Sequence, residues 1–103
     1  MHVTIRRYEN VDQNREIELT KKVNESLMPR LSELAGFHGY YLIEAKDGVM
    51  TSINLFDTSA HADESTRVSH DWIRDEKLEA ALPNPPQVTL GEVVAFKTNG
   101  VRI

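Results

Sequence analysis

The chain contains no cysteine, which excludes a disulfide framework, thiolate metal ligands and a cysteine nucleophile. A reducing cytoplasm is the expected setting. It has no apolar run near ~18 residues, so no segment is expected to span a membrane. "MHVTIRRYE" lacks the charged-then-apolar order of a signal peptide. Basic residues are few and scattered, 12 Lys and Arg against 16 Asp and Glu for a net charge of −4. No more than two stand in a row, so the basic face that phosphate neutralisation needs is missing and no nucleic-acid partner is expected. No glycine-rich phosphate loop and no nucleophile-elbow serine occur. His61, near Asp57 and Glu64, has no second His at a ligand spacing, so no metal site is expected.

What remains is a chain of 103 residues with 40% hydrophobic and 27% charged residues, the profile of one soluble globular domain able to bury a core. "HVTIRRY" (2–8) alternates Val3, Ile5 and Arg7 against His2, Thr4, Arg6 and Tyr8, as a strand does. A long helix is predicted over 14–34. Val23, Leu27, Leu31 and Leu34 line one face at a 3.6-residue period. Asp12 or Asn14 is placed to cap it. Pro29 should kink or break it, and Gly36 should stop it.

"GFHGYYLIEAKDGVMTSINLF" reads as a hairpin about "KDG". A two-residue turn pairs Tyr41 with Asn54, whereas a three-residue turn with a bulge pairs Tyr40 with Asn54. A one-residue slip reverses the faces. A second helix is predicted over 57–81, capped by Asp57, Thr58 or Ser59, carrying Val68 and Trp72 and ended by "LPNPP". "QVTLGEVVAF" (87–96) reads as the last strand. Residues 1–97 form one domain on this reading, and 98–103 a C-terminal tail.

The order β-α-β-β-α-β implies a ferredoxin-like α+β fold, a four-stranded antiparallel sheet with both helices on one face. Both alternating sets of the hairpin and last strand hold apolar residues: Phe37, Tyr41 and Ile43 against Tyr40 and Leu42, and Leu90, Val94 and Phe96 against Val93 and Ala95. The second face needs a cover, and a homodimer packed sheet to sheet supplies one.

The layout, "AGFHGYYLIEAKDG", "SINLFDTSAHADES" and a Trp late in the second helix resemble the dimeric α/β-barrel superfamily, and within it the antibiotic biosynthesis monooxygenase domains. The resemblance covers residues 1 to about 97. It implies a dimer whose sheets form a shared barrel, a pocket in each subunit between sheet and helices, and oxidation of aromatic polyketides by dioxygen with no metal, flavin or other cofactor. Relatives that break haem use an Asn in the first strand, and a His with the helical Trp. "TIRRY" has no Asn and no His follows Trp72, so haem degradation is not expected.

Trp72 is the expected wall of any pocket, because a buried Trp contributes a large apolar surface. His70 lies about 200° around the helix from it and reads as a surface residue. His38 beside tyrosines could carry a proton. The catalytic candidates are His38, Asn54 and Trp72, and the substrate-binding candidates are Tyr40, Tyr41 and Trp72. Three functions fit: a cofactor-independent monooxygenase on a small aromatic or polyketide-like substrate; a non-enzymatic dimer binding a small apolar ligand or a protein; and an isomerase or decycling enzyme using a pocket base such as His38.

Overall fold

A computed structural model describes residues 1–98. The expected tail over 98–103 lies, apart from Thr98, outside the described residues. Four strands form one antiparallel sheet: β1 (His2–Tyr8), β2 (Phe37–Glu44), β3 (Met50–Phe56) and β4 (Gln87–Glu92). Their spatial order is β2-β3-β1-β4, with a helical region after β1 and another after β3 as the two crossovers. This is the ferredoxin-like α+β arrangement.

Asp12 opens the first helical region by accepting the Asn14 N–H at 3.0 Å. A 3₁₀ turn (Gln13–Arg15) leads into α1, which runs through an α-helical stretch (Glu16–Lys22), a π turn (Val23–Leu27) and a second α-helical stretch (Met28–Ser32). The π turn explains how Pro29 is tolerated. Proline lacks an N–H and its ring crowds the carbonyl one turn back. A wider turn just ahead of it, in which the Met28 N–H bonds the Val23 carbonyl, absorbs that conflict. The helix therefore continues through Pro29 without a break. Leu19, Val23, Leu27 and Leu31 all point into the core.

Helix α2 (Ser59–Asp75) is capped by Thr58, whose hydroxyl accepts the His61 N–H at 3.2 Å. It ends six residues before the predicted position 81. Lys77 takes a left-handed φ of 57°, and the Leu78 N–H returns to the Ile73 carbonyl at 2.9 Å. This closing motif normally uses glycine, so nothing in the residue types announced it. The turn drives Leu78 and Ala81 into the core. Strand β4 also stops early, at Glu92 and not at 96. Its partner β1 begins at His2, so beyond one bond from the Val93 N–H to the Met1 carbonyl there is no strand left to pair with. Val94 is 94% exposed and Phe96 76%.

The hairpin turns through Lys46, Asp47 and Gly48, the last two with positive φ, and Tyr40 lies opposite Asn54. An irregularity between Phe37 and Gly39 moves Phe37 to the side of Tyr40 and Leu42, where its ring meets Phe56 edge-on at 5.6 Å. The expected grouping of Phe37 with Tyr41 and Ile43 is thereby corrected.

The two central strands use their faces against the usual alternation. Thr4, Arg6, Ser52 and Asn54 are buried beneath the helices, while their apolar neighbours Val3, Ile5, Ile53 and Leu55 sit on the opposite face. On the helical side these four polar residues stand between apolar ones, Met50 and Phe56 of β3 and Tyr40 and Leu42 of β2.

Candidate functional site: a cleft over a buried arginine

The inward polar residues do not sit in solid packing. A cavity of about 50 Å³ lies between sheet and helices. Arg6, Tyr40, Ser52 and Asn54 are among its sheet-side walls, and Leu27, Trp72 and Ile73 among its helical ones. It shares Arg6, Tyr8, Ser69, Ile73 and Leu82 with a larger cleft of about 490 Å³. That cleft lies between α2 and the proline-rich segment 82–86, with His70, Arg74 and Glu79 along it. The combined site is an open groove with a narrow polar recess. The groove falls within the ~300–1,000 Å³ range of small-molecule sites, whereas the recess alone has room for little more than water.

Each wall has a local cause. Trp72 is buried on α2, and its indole N–H donates to Ser26 Oγ at 3.0 Å. Ser26 belongs to the π turn, so the turn forced by Pro29 also positions the acceptor that holds the indole. With its one polar atom engaged, Trp72 offers a ligand an apolar surface only. Asn54 is 2% exposed, and its Oδ1 has no hydrogen-bond partner among the described residues. A buried acceptor left open costs about 1–3 kcal/mol, and Asn54 lines the recess. Although Tyr40 and Asn54 are cross-strand neighbours, no hydrogen bond joins their side chains among those found.

Burial pushes the Tyr40 phenol up to about 12, assisted by neighbouring Tyr8 and opposed by the Arg6 charge. Burial also raises Tyr8, again against Arg6. Both side chains are therefore neutral phenols at pH 7 and can donate a proton in a hydrogen bond.

Arg6 is 6% exposed. Its guanidinium donates to Thr66 Oγ1, and the hydroxyl in turn donates to the Ala62 carbonyl at 3.1 Å. The arginine ion pairs found among the described residues involve Arg7, Arg15, Arg67 and Arg74, not Arg6. Sequence reasoning placed Arg6 on the first strand without assigning it to a site. The available signal was its phase, shared with Thr4 and Tyr8 on a strand that proves central.

The sequence-derived candidates separate. Tyr40, Asn54 and Trp72 meet at the recess. Tyr41 lies on the opposite face, 47% exposed. His38 is exposed at the hairpin's start and pairs with Asp57, whose carboxyl it holds below the usual range; neither borders the cavity or cleft. His70 is exposed, but it lies along the outer cleft. No cluster of potential metal ligands occurs among the described residues.

No family model and no curated protein matches the sequence. Solved structures do match. A monooxygenase from the ActVA-Orf6 gene of Streptomyces coelicolor, in complex with nanaomycin D, is 13% identical at a TM-score of 0.72, over 96% of this chain and 92% of that one. The chain has the fold of antibiotic biosynthesis monooxygenase structures. One of these is 17% identical at a TM-score of 0.66, over 92% of this chain and 100% of that one. A dimeric ferredoxin-like protein from an uncultured marine organism is 14% identical at a TM-score of 0.71, over 96% and 92%. Identities this low establish the fold and leave activity to be argued from the site.

Proposed function

We propose that the chain is a cofactor-independent monooxygenase acting on a small aromatic or polyketide-like molecule in the cleft over Arg6. The observation that carries this reading is the inward polar set Thr4, Arg6, Ser52 and Asn54 on the two central strands, buried where a purely structural core would place apolar residues. Polar groups buried at this density beside a cavity are worth their cost when a ligand uses them. The shared fold with a monooxygenase in complex with nanaomycin D supports the same reading.

In the proposed reaction the substrate supplies the electrons. A ring methylene becomes a carbonyl; one atom of dioxygen ends on that carbon, and the other leaves as water with the two displaced hydrogens. Tyr40 and Tyr8 donate hydrogen bonds to oxygen on the substrate, Asn54 Oδ1 accepts from a substrate hydroxyl, and Trp72 with Ile73 sets the ring plane. The isomerase reading needs a pocket acid or base, for which His38 is the candidate. Its place outside the cleft, beside Asp57, removes that base.

The working unit in this proposal is a homodimer packed through the bare sheet face. Val3, Ile5, Ile53 and Leu55, partly exposed, and the exposed Tyr41 and Ile43 provide apolar surface there, which a partner would cover. The dimeric ferredoxin-like structure of the same fold agrees with it.

The test is oxygen uptake with an anthrone-type phenol. Uptake above the protein-free rate, of one dioxygen per substrate and reduced by Asn54→Leu, is the expected result. Uptake no greater than without protein refutes the enzymatic reading. A second reading, ligand binding without turnover, is favoured by the openness of the groove, since oxidation chemistry benefits from excluding water. Binding in the absence of oxygen uptake would select it.

A further inference from the structure

We infer that the cleft takes a small aromatic carboxylate, with Arg6 as its counter-ion. This rests on the reading of the cleft as a ligand site and names the ligand's charge.

A guanidinium always carries its charge. Burying one without an opposite charge costs several kcal/mol, and structures normally supply a carboxylate partner. Arg6 has Thr66 Oγ1, a neutral hydroxyl, and borders both recess and groove. A guanidinium has five N–H donors in a planar fork that matches a carboxylate, so one hydroxyl leaves most of that capacity open. The nearest titratable groups strengthen the case. Tyr8 and Tyr40 border the same recess as neutral phenols, Tyr40 beside Ser52, so two phenols and one arginine line it. Such a set suits one oxyanion.

The surroundings define the rest of the ligand. Along the outer groove His70, Arg74 and Glu79 are the titratable side chains besides Arg6 and Tyr8, and Arg74 is engaged by Asp71 and Asp75. Among the described residues no second unpaired Lys or Arg lines the groove to balance a dianion such as a phosphate monoester. Trp72, Ile73 and Leu82 supply apolar walls, and Pro83, Pro85 and Pro86 a stiff rim. A flat apolar body bearing one carboxylate matches these features together.

The experiment is isothermal titration calorimetry at pH 7 with 2-naphthoate and its neutral amide, 2-naphthamide. Naphthoate is expected to bind at least ~10-fold more tightly, the effect of one charge-assisted hydrogen bond. Arg6→Met is expected to bring the ratio close to one, and Arg6→Lys to retain part of it. Equal binding of both probes by the unmodified protein overturns the charge assignment and leaves the ligand site standing. Binding of neither overturns both. The ratio measured on the unmodified protein needs no variant to fold, and a preference that survives in Arg6→Met also overturns the inference.

Discussion

Replacing Arg6 by methionine should make the ligand-free protein more stable. The side chain is 6% exposed, and its guanidinium has a neutral hydroxyl as partner. The effective desolvation penalty for a buried ion is several kcal/mol. Against it stands the lost hydrogen bond to Thr66, about 1–1.5 kcal/mol. Methionine has similar length and no charge, and its burial contributes about 1.5–3 kcal/mol. Arg6 already buries its aliphatic stem, so the net gain from methionine burial is small, and the place of Arg6 on the open cleft reduces the penalty; the balance favours the variant by about 1–3 kcal/mol. Urea unfolding followed by the single Trp72 would then show its midpoint raised by ~1 M, given slopes of about 1–3 kcal/mol/M for small domains. A thermal midpoint raised by about 4–8 °C per kcal/mol should accompany it. A structural arginine behaves in the opposite way, because removing a satisfied buried cation strands its partners. Loss of more than about 1 kcal/mol in Arg6→Met would refute the reasoning, since it would mean that the guanidinium is fully satisfied in the free protein.

Other outcomes follow from neighbouring contacts. Ser26→Ala removes the acceptor of the Trp72 indole N–H and should cost about 1–3 kcal/mol in urea unfolding; a change below about 0.3 kcal/mol would show that the indole finds another partner. Tyr40 has a folded pKa raised from 10.0 to about 12, so its stabilising contribution is complete below pH 10 and is lost as pH rises through about 12. Phenolate absorbance should lose its late step in Tyr40→Phe, and loss of an early step would contradict the burial argument. Gly36 has φ +77°, and a Cβ added there would lie 2.2 Å from His61 Nδ1. Gly36→Ala should cost about 1–2 kcal/mol for the left-handed backbone alone, more with the clash, and adding His61→Ala should recover the clash but not the backbone part.

Much of the fold was legible because its signals were local. The alternation in "HVTIRRY" marks β1, the four-four-three spacing of Val23, Leu27, Leu31 and Leu34 marks α1, and "KDG" between aromatic runs marks the hairpin. The ends of α2 and β4 were not, for non-local reasons. Lys77 closes α2 in a conformation that residue type disfavours, and β4 stops where β1 begins. Face assignment failed for a different reason. Alternation assumes that apolar residues face the helices, and in "TSINLF" the buried side is Ser52, Asn54 and Phe56, two of the three polar. That inversion belongs to the site, which is where local rules are expected to break. Among the candidates, Asn54, Tyr40 and Trp72 could be brought together from register and helical spacing. Arg6 could not, because an arginine on a strand reads as solvated until the strand is known to be central. His38 was misplaced relative to the pocket by the irregularity at Phe37–Gly39.

The central claim is that a ligand sits in the groove between α2 and segment 82–86 with its charged group on Arg6. A crystal structure of the protein with 2-naphthoate tests it most directly. The account predicts the carboxylate within hydrogen-bond distance of the Arg6 guanidinium, with the ring against Trp72 and Ile73. Naphthoate found on the bare sheet face beside Tyr41 and Ile43, or in the groove with its carboxylate turned to solvent, would contradict it.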